Sequence, residues 1–363
     1  MHKDAFRLGG FIVEHIAPAL LDWFRQNRRS LPFRDDPTPY HIWVSEIMLQ
    51  QTRVAAALPY YERFVRELPD IPALAACPPE RLDKLWEGLG YYRRVHSMQK
   101  AAQLVCRQYG GLLPASYDAL LALPGIGPYT AGAIASIGFG LAVPAVDGNV
   151  LRVFARLYND GGSITEPAVK KRFTARVMEH QPPDAPGDYN QALMELGALV
   201  CLPGGAPLCG QCPLAPFCEG RKAGAAQDLP HKAEAKPRRV LPVTVVLVRS
   251  GASGEWLLQK RPAAGLLAGL WQPPAFEGVR LDGPQAVRQA LAGLGLDPGG
   301  SQPSPLPAAR HIFSHVEWQM TGWLADVPAQ DAPEGCVWTG AGGLEGRYAL
   351  PGAFKAYRPF LFG

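Results

Sequence analysis

Four cysteines lie within 18 residues in the second half of this 363-residue chain, at Cys201, Cys209, Cys212 and Cys218. Closely spaced thiols are typical of a metal site that organises a loop too small to have its own hydrophobic core. Zinc and a [4Fe–4S] cluster both accept four thiolates. A zinc ribbon usually has two Cys-x2-Cys pairs and this run has one, so the spacing favours iron–sulfur.

The other three cysteines are scattered, and no secretory signal is apparent, because Glu14 and His15 interrupt the first apolar stretch. These features indicate a reducing compartment and metal chemistry rather than a disulfide framework. The longest uncharged run, 119–146, is broken by proline and glycine, and its unbroken part has 15 residues. A spanning helix needs about 20, so we expect no membrane segment.

The charge of the chain permits a nucleic-acid partner but does not identify one. Lys and Arg number 36 against 32 Asp and Glu, a net charge of +4. Residues 1–222 hold 23 basic and 21 acidic side chains, so the excess is not concentrated there. Hydrophobic residues make up 47% and charged residues 19%, a composition that predicts a folded protein.

The periodicity of the chain changes at about residue 223. Residues 1–222 predict short amphipathic helices, one of which begins at Thr38-Pro39 with a hydroxyl cap. Residues 223–239 are rich in Ala, Lys, Arg and Pro and predict a linker. We therefore expect a multidomain protein, with an all-α region of 1–222 followed by a small α+β domain at 240–363.

Within that second domain, three segments predict strands and one predicts a helix. A β-branched run at 241–248 is followed by a turn at 251–254 and a returning strand at 256–259. Residues 316–324 alternate like a half-buried strand, and 284–294 predicts a helix.

The segment Leu123–Gly127 lies between two predicted helices, one ending near Ala122 and the other beginning at Pro128. Its two glycines, Gly125 and Gly127, permit a sharp turn that exposes backbone N–H groups. Such groups at a helix N-terminus can bind phosphate. An ordinary helix–helix loop is the alternative.

Glu46 shares a helix face with Ile42, Trp43, Leu49 and Gln50, a mostly apolar surface. A carboxyl group there is desolvated, so we expect a raised pKa and a protonated side chain near neutral pH. The alternative is a buried Glu46 paired with Arg34.

Asp147 precedes Gly148-Asn149 and a helical run at 150–158, which predicts an N-cap. Backbone N–H groups and the helix dipole would favour its ionised form. Two carboxyl groups with pKa values pushed apart are typical of glycosidic bond cleavage. The alternative is a purely structural cap.

The order of these features resembles the endonuclease III superfamily of DNA glycosylases, with a helix–hairpin–helix, an Asp in a Val-Asp-Gly-Asn turn and a four-cysteine loop. Residues 43–52, Trp-Val-Ser-Glu-Ile-Met-Leu-Gln-Gln-Thr, are similar to the signature of its MutY branch, the adenine DNA glycosylases. So are 86–92, Trp-Glu-Gly-Leu-Gly-Tyr-Tyr, and Phe-Ser-His at 313–315. The first cysteine gap is seven residues instead of the usual six, and the extra residue falls in the Pro/Gly-rich stretch 203–207, which can bulge.

The resemblance implies a helix–hairpin–helix subdomain at 31–143, a [4Fe–4S] cluster subdomain formed by 1–30 and 144–222, and a Nudix-like lesion-recognition domain at 240–363. It implies a monomeric, monofunctional glycosylase that starts base excision repair by removing adenine opposite 8-oxoguanine or guanine in duplex DNA. It also implies a cytoplasmic enzyme associated with a bacterial nucleoid.

The same resemblance assigns roles to residues. The adenine is flipped into a pocket, Glu46 protonates its N7, and Asp147 stabilises the oxocarbenium ion, with a covalent bond before water attacks. Tyr129 and Asn149 support that centre. The hairpin would clamp a phosphate with a monovalent cation on its carbonyls. Arg34, Leu49 and Gln191 match the positions of the adenine pocket. Gln51 and Tyr91 match residues that wedge into the duplex beside the lesion, with Thr52 and Leu89 nearby. The other positions that match binding to the DNA and lesion are Gly125, Gly127, Phe313, Ser314 and His315.

Three alternative functions are weaker. A glycosylase with lyase activity needs an amine two residues after the second hairpin glycine, where this chain has Tyr129, and no lysine occurs between Lys100 and Lys170. A Nudix hydrolase needs metal-binding glutamates; when the motif is aligned on Arg288 and Gly295, those places hold Arg280, Gln289, Ala292 and Gly293. A non-enzymatic iron–sulfur DNA-binding or sensing protein would need neither Glu46 nor Asp147.

Overall fold

A computed structural model describes residues 3–233 and 237–362, with side chains from residue 15 onward. The chain divides into two compact units. The helical unit consists of Met1–Ala76 and His96–Glu234. The sheet unit combines Cys77–Val95 with Ala235–Gly363.

The regular elements described between residues 3 and 222 are all helical, as the periodicity predicts. The α-helices are α1 (Lys3–Asn27), α2 (Pro32–Asp35), α3 (Pro39–Leu49), α4 (Val54–Glu67), α5 (Ile71–Ala76), α6 (Pro79–Trp86), α7 (Arg93–Tyr109), α8 (Tyr117–Leu121), α9 (Pro128–Ala133), α10 (Gly148–Leu157), α11 (Pro167–Glu179), α12 (Pro186–Leu199) and α13 (Glu219–Lys222). A π-helical turn, Ile134–Gly138, continues α9, and two short 3-10 turns lie at Cys209–Gln211 and Ala215–Phe217. None of the helices described is both long and apolar enough to cross a membrane.

Helices α1, α10, α11 and α12 enclose the core of the helical unit. Leu20, Phe24, Phe154, Phe173 and Tyr189 are all at most 1% exposed within it. Burying aromatic side chains of this size contributes about 1.5–3 kcal/mol each. The core therefore gives a rigid base to α10 and α12, which carry several of the predicted site residues.

Local sequence explains how the site helices begin. Thr38 caps α3 by accepting a hydrogen bond from the backbone N–H of His41 at 3.1 Å, as predicted. The hairpin between α8 and α9 also lies where the sequence predicts it.

Asn190 of α12 is fully buried. Its amide Nδ2 donates to Ser136 Oγ at 2.8 Å, and its Oδ1 accepts from Ala145 N at 3.2 Å. Asn190 thereby holds the segment that leads to Asp147.

The sheet unit contains one seven-stranded sheet and further helices. The elements are β1 (Arg239–Ser250), β2 (Trp256–Lys260), β3 (Trp271–Gln272), β4 (Ala275–Glu277), α14 (Pro284–Gly293), β5 (Ser304–Ile312), β6 (Val316–Val327), β7 (Cys336–Thr339), α15 (Ala341–Gly346), a 3-10 turn (Gly352–Tyr357) and α16 (Arg358–Phe362). The strand order is β3-β2-β1-β6-β5, with β4 paired to β1 and β7 to β2.

β1 is central, and its residues alternate between two cores. Val243, Val245 and Leu247 face one core, while Val246 and Val248 face the other. β1 runs parallel to β6, and the register begins with Arg239 opposite Val316. The predicted strands of the 241–259 hairpin, the strand at 316–324 and the helix at 284–294 are confirmed. The elements that were not predicted from the sequence are β3, β4, β5, β7 and the C-terminal helices.

Candidate active site

Glu46 lies on α3 and is only 8% exposed. Burial, with a smaller contribution from the nearby charge of Asp147, raises the pKa of Glu46 to about 7. The hydroxyl of Tyr129 donates a hydrogen bond to the carboxylate, which opposes that shift. The predicted raised pKa of Glu46 is therefore confirmed, and its main cause is burial of the carboxyl group in the folded protein.

Asp147 caps α10, as predicted. Its carboxylate accepts hydrogen bonds from Val150 N at 2.8 Å and from Asn149 Nδ2 at 2.7 Å. The predicted direction of its pKa is wrong, however, because burial raises the pKa of Asp147 above its ordinary value and outweighs these hydrogen bonds. The cap favours the anion, but a carboxylate in this position loses more hydration than two hydrogen bonds replace.

A polar chain links Asp147 to the cysteine loop. Asn149, which bonds Asp147, accepts from Arg152 Nη2 at 2.8 Å, and Arg152 Nε donates to the carbonyl of Cys201 at 2.8 Å. Arg152 is buried, at 7% exposure. The sequence analysis did not identify Arg152, although its place one helical turn after Asn149 is a signal that could have indicated it.

Tyr129 lies on α9, two residues after Gly127. Its hydroxyl contacts Met194 Sδ at 3.4 Å in addition to Glu46. Burial and the charge of Glu46 raise the pKa of Tyr129. A neutral phenol therefore occupies the position where the lyase alternative requires an amine.

Arg34 pairs with Glu195 of α12 rather than serving as the ion-pair partner of Glu46. Arg34 Nη2 lies 2.9 Å from Glu195 Oε2, and Arg29 Nη2 lies 2.7 Å from the same oxygen. Hydrogen bonds from these guanidinium groups lower the pKa of Glu195 to about 2 against the effect of burial. The ion pair of Arg34 is therefore with Glu195, and the charge of Arg34 has only a small lowering effect on the pKa of Glu46.

Two of the three predicted adenine-pocket residues meet directly. Arg34 Nε donates to Gln191 Oε1 at 3.1 Å, and both side chains line a cavity of about 310 Å³. The same cavity is bordered by Arg28 and Asp188. Leu49, the third, is the last residue of α3 and is half-buried. Glu195 was missed by the sequence analysis, although it lies four residues after Gln191 on the same helix face.

The two hairpin glycines have different roles. Gly125 has a φ of +79°, and a Cβ there would lie 2.6 Å from Ser97 Cβ. Only glycine fits that position without displacing the neighbouring chain. Gly127 has extended backbone and is the N-cap of α9, with open space where a Cβ would lie.

The predicted wedge residues have strained backbones. Gln51, after α3, has a φ of +61°, and Tyr91 has a φ of +49° and is 50% exposed. Left-handed conformations are uncommon for residues other than glycine and concentrate at functional sites. Thr52 is half-buried, and Leu89 is buried within the turn that presents Tyr91.

The 313–315 segment forms the tight loop between β5 and β6, closed by a 2.8 Å hydrogen bond from Phe313 N to Val316 O. Ser314 and His315 are exposed, and Ser314 Oγ lies 3.3 Å from His315 Nδ1. The Phe313 ring packs inward against Trp318, with ring centroids 4.9 Å apart. The loop therefore presents two polar side chains on a rigid aromatic support.

The four cysteines of the predicted cluster site carry free thiols. Burial raises the pKa of Cys212 to about 12, and the charges of Cys201, Cys218 and Cys209 contribute. Four thiol groups are the donors that an iron–sulfur cluster takes. Within 3–233 and 237–362, no three His, Cys, Asp or Glu side chains are grouped closely enough to hold one metal ion.

Arg288 of α14 has a structural role. Its guanidinium donates to the carbonyls of Gly299 and Ser301, the latter at 2.8 Å. This arginine supports the loop after α14, in keeping with the missing metal-binding glutamates.

Comparisons with known families match both parts of the chain. Residues 44–179 match the HhH-GPD superfamily of base excision DNA repair proteins, and residues 244–358 match the NUDIX domain. The sequence is 35% identical to a human adenine DNA glycosylase over 88% of this chain and 69% of that protein. It is 37% identical to the mouse adenine DNA glycosylase over 88% and 72%.

Two solved structures share the helical fold. A thermostable thymine-DNA glycosylase covers 59% of this chain and 99% of its own at 24% identity, with a TM-score of 0.54. A trapped endonuclease III–DNA covalent intermediate covers 62% and 99% at 23% identity, with a TM-score of 0.50.

Proposed function

The chain belongs to the adenine DNA glycosylase family and excises adenine in base excision repair, and we propose that its substrate is adenine opposite 8-oxoguanine in duplex DNA. The observation that carries the proposed chemistry is the buried Glu46 carboxyl, with a pKa of about 7, next to Asp147. A carboxyl group with that pKa is protonated in about half of the molecules at neutral pH and can release its proton to a leaving base.

In the proposed mechanism, the protonated Glu46 delivers its proton to N7 of the flipped adenine. Protonation makes the base a neutral leaving group when the N-glycosidic bond breaks, and Tyr129 holds the resulting carboxylate by its hydrogen bond. The carbon C1′ is left as an oxocarbenium ion. This division of roles follows the general pattern of paired carboxyl groups in glycoside cleavage.

Asp147 would stabilise the oxocarbenium ion from its place at the N-terminus of α10. Two hydrogen bonds fix its carboxylate, so it needs no reorganisation as the positive charge develops. Asp147 bonds C1′ transiently, and water then replaces it, which leaves an abasic sugar with a hydroxyl group at C1′. The DNA strand stays intact because Tyr129 occupies the position at which a lyase has its amine nucleophile.

The cavity at Arg34 and Gln191 is the proposed adenine pocket. Leu49 is proposed as a further contact of the base, although it is not among the residues that line this cavity. Because Arg34 donates to Gln191 Oε1, the Gln191 amide N–H groups remain available to the base. The ion pair with Glu195 fixes the Arg34 guanidinium, so the pocket gains a donor of set position.

The remaining predicted residues would bind the DNA. Gln51 and Tyr91, with Thr52 and Leu89 beside them, would hold the duplex open at the lesion, and Gly125 and Gly127 would clamp a phosphate with a monovalent cation on the hairpin carbonyls. Ser314 and His315 would read 8-oxoguanine in the opposite strand, supported by Phe313.

Cys201, Cys209, Cys212 and Cys218 would hold a [4Fe–4S] cluster. Bound iron would offset the mutual repulsion of the thiolates and stabilise the loop. The chain itself ties this loop to the active site through Arg152, whose guanidinium bonds the Cys201 carbonyl and Asn149.

A glycosylase assay tests the proposal. Duplexes with adenine opposite 8-oxoguanine, guanine, thymine or cytosine are incubated with the protein, and the products are divided into portions with and without alkali. We expect adenine release to be fastest opposite 8-oxoguanine, next opposite guanine, and strand breaks only after alkali. Equal rates opposite every base, or strand cleavage without alkali, would contradict the proposal.

A further inference from the structure

The turn at Trp86–Tyr91, which presents Tyr91, belongs to the sheet unit. It leaves α6 through Gly88 and Gly90, which have positive φ values of +103° and +70°. Trp86 Nε1 donates to Gly90 O at 3.0 Å, which closes the turn on itself. The conformation of Tyr91 is therefore set by how this turn is held.

The Glu87 carboxylate anchors the turn to neighbouring residues. Its side chain is 12% exposed and is contacted by three donors. Lys84 Nζ lies 2.5 Å from Glu87 Oε2, the guanidinium of Arg358 contacts Oε1, and Leu350 N donates to Oε1 at 3.2 Å. Lys84 also donates to the carbonyl of Leu344 at 2.8 Å. A carboxylate with three partners in a mostly buried setting is a strong and directional anchor.

The C-terminal partners of Glu87 lie on the core that supports the 313–315 loop. Leu350 and Phe354 belong to the same hydrophobic cluster as Trp318. The Phe354 and Trp318 rings are 6.1 Å apart, and the Trp318 and Phe313 rings are 4.9 Å apart. Packed side chains therefore run without interruption from Glu87 to the loop of Ser314 and His315.

We propose that Glu87 is a positioning residue that fixes the Tyr91 turn on the same rigid core as the 313–315 loop. Insertion of the wedge and reading of the opposite base then occur as one event, because neither element can move without the other. This inference rests on the proposed function, in which Tyr91 enters the duplex and the loop reads 8-oxoguanine. Glu87 is the one charged side chain in the described turn Trp86–Tyr91, and it contacts Leu350 and Arg358.

The test compares full-length variants. Glu87→Gln keeps the shape but removes the charge, and Glu345→Gln removes an exposed carboxylate from the same unit as a matched control. Single-turnover excision is measured opposite 8-oxoguanine and opposite guanine. Fluorescence of 2-aminopurine placed beside the lesion reports whether the duplex is opened. Arg358→Lys, which keeps the charge, is compared with Arg358→Met.

We expect Glu87→Gln to lower the preference for 8-oxoguanine over guanine by about tenfold, the coupling of residues that share one network. The 2-aminopurine fluorescence should fall together with this preference. Arg358→Lys should retain more of the preference and of the fluorescence than Arg358→Met. Glu345→Gln should match the wild type in both measurements. In a Tyr91→Ala background, Glu87→Gln should have no further effect on the preference, because the residue through which it acts is gone.

A purely structural role for Glu87 would lower both rates equally and leave their ratio and the fluorescence unchanged, and that result would overturn the inference. So would a full effect of Glu87→Gln in the Tyr91→Ala background. If the wild type showed no preference for 8-oxoguanine, or Tyr91→Ala left it unchanged, the proposed function would fail and the inference with it.

Discussion

At the residue scale, one carboxyl group in an apolar setting determines the proposed chemistry. Glu46 lies on the helix face that the sequence marks as hydrophobic, and its pKa of about 7 follows from the burial of that face in the folded helical unit. Burial also raises the pKa of Asp147. The two carboxyl groups therefore share the direction of their pKa shifts and differ in their hydrogen-bond partners.

Glu46→Gln should abolish adenine excision while leaving DNA affinity nearly unchanged. A positioned general acid contributes about 100- to 10,000-fold in rate, and glutamine cannot supply the proton. Single-turnover excision and binding to the same duplex measure the two effects. Glu62→Gln, on the exposed side of α4, is the control. Excision by Glu46→Gln within about tenfold of the wild type would exclude general-acid catalysis by this residue.

Tyr129→Phe should move the pH dependence of excision to higher pH. The Tyr129 hydroxyl donates to Glu46 and so favours the ionised carboxylate, which lowers its pKa. Without it, the pKa of Glu46 rises above about 7, and the protonated, active form persists to higher pH. The excision rate measured from pH 5 to 10 gives the midpoint of the falling limb. A midpoint that stays the same or moves to lower pH would contradict the assigned hydrogen bond.

At the element scale, the close packing of α10 against α12 orients the anionic side of the site. A Cβ at Gly197 of α12 would lie 2.6 Å from Asn149 Cβ. Asn149 is the residue that donates to Asp147 and accepts from Arg152. Helix–helix distance is therefore coupled directly to the position of a carboxylate.

Gly197→Ala should strongly lower the rate of adenine excision in a variant that still folds. The added methyl group displaces Asn149, and a displacement of about 1 Å at a catalytic group can cost up to about 100-fold in rate. Single-turnover rates and thermal unfolding are compared with those of Ala198→Ser, an exposed neighbour on the same helix. Unchanged rates in a folded Gly197→Ala variant would show that Asn149 does not position Asp147.

The cysteine loop is the other element with a direct test. The purified protein should be yellow-brown and contain about four iron and four sulfide per chain. Cys212→Ala should lose iron and DNA binding, because thiolate–metal bonds replace a core in this loop. Cys106→Ala, a thiol outside the four, should retain both. An anaerobic preparation that contained zinc and no iron would rule out the cluster.

At the scale of the whole molecule, the C-terminal part of the chain is not separable from residues Cys77–Val95, which pack with it. Deleting residues 240–363 would remove the contacts of Lys84 and Glu87 with Leu344, Leu350 and Arg358. A truncation would therefore perturb the Tyr91 turn together with lesion reading. Point substitutions in the full-length protein are the cleaner test.

Replacing Ser314 and His315 together by alanine should reduce the preference for 8-oxoguanine over guanine, with little change in excision opposite guanine. Each lost hydrogen bond costs about 0.5–1.5 kcal/mol, so the pair should lower the ratio of rates by about tenfold. Single-turnover excision of both duplexes measures this ratio. Ser301→Ala, in the exposed loop before β5, is the control. An undiminished ratio would contradict the reading role of this loop.

Much of this organisation follows from local sequence. Helix starts at Thr38 and Asp147 depend on side chains that bond backbone N–H groups within three residues, and the apolar residues around Glu46 on α3 mark it as a side chain that becomes buried. A β-branched run predicts β1, and alternating apolar and polar residues predict β6. Such features were predictable because their physical causes lie within a few residues along the chain.

Other features depend on contacts between residues far apart in sequence, and only the tertiary structure decided them. The pairing of Arg34 with Glu195 joins residues 161 positions apart. The link from Glu87 to Arg358 joins residues 271 apart. The direction of the Asp147 pKa shift depends on how much of the folded chain covers that carboxylate. Local sequence determines which groups a segment offers, whereas their desolvation and partners exist only once distant segments have packed together.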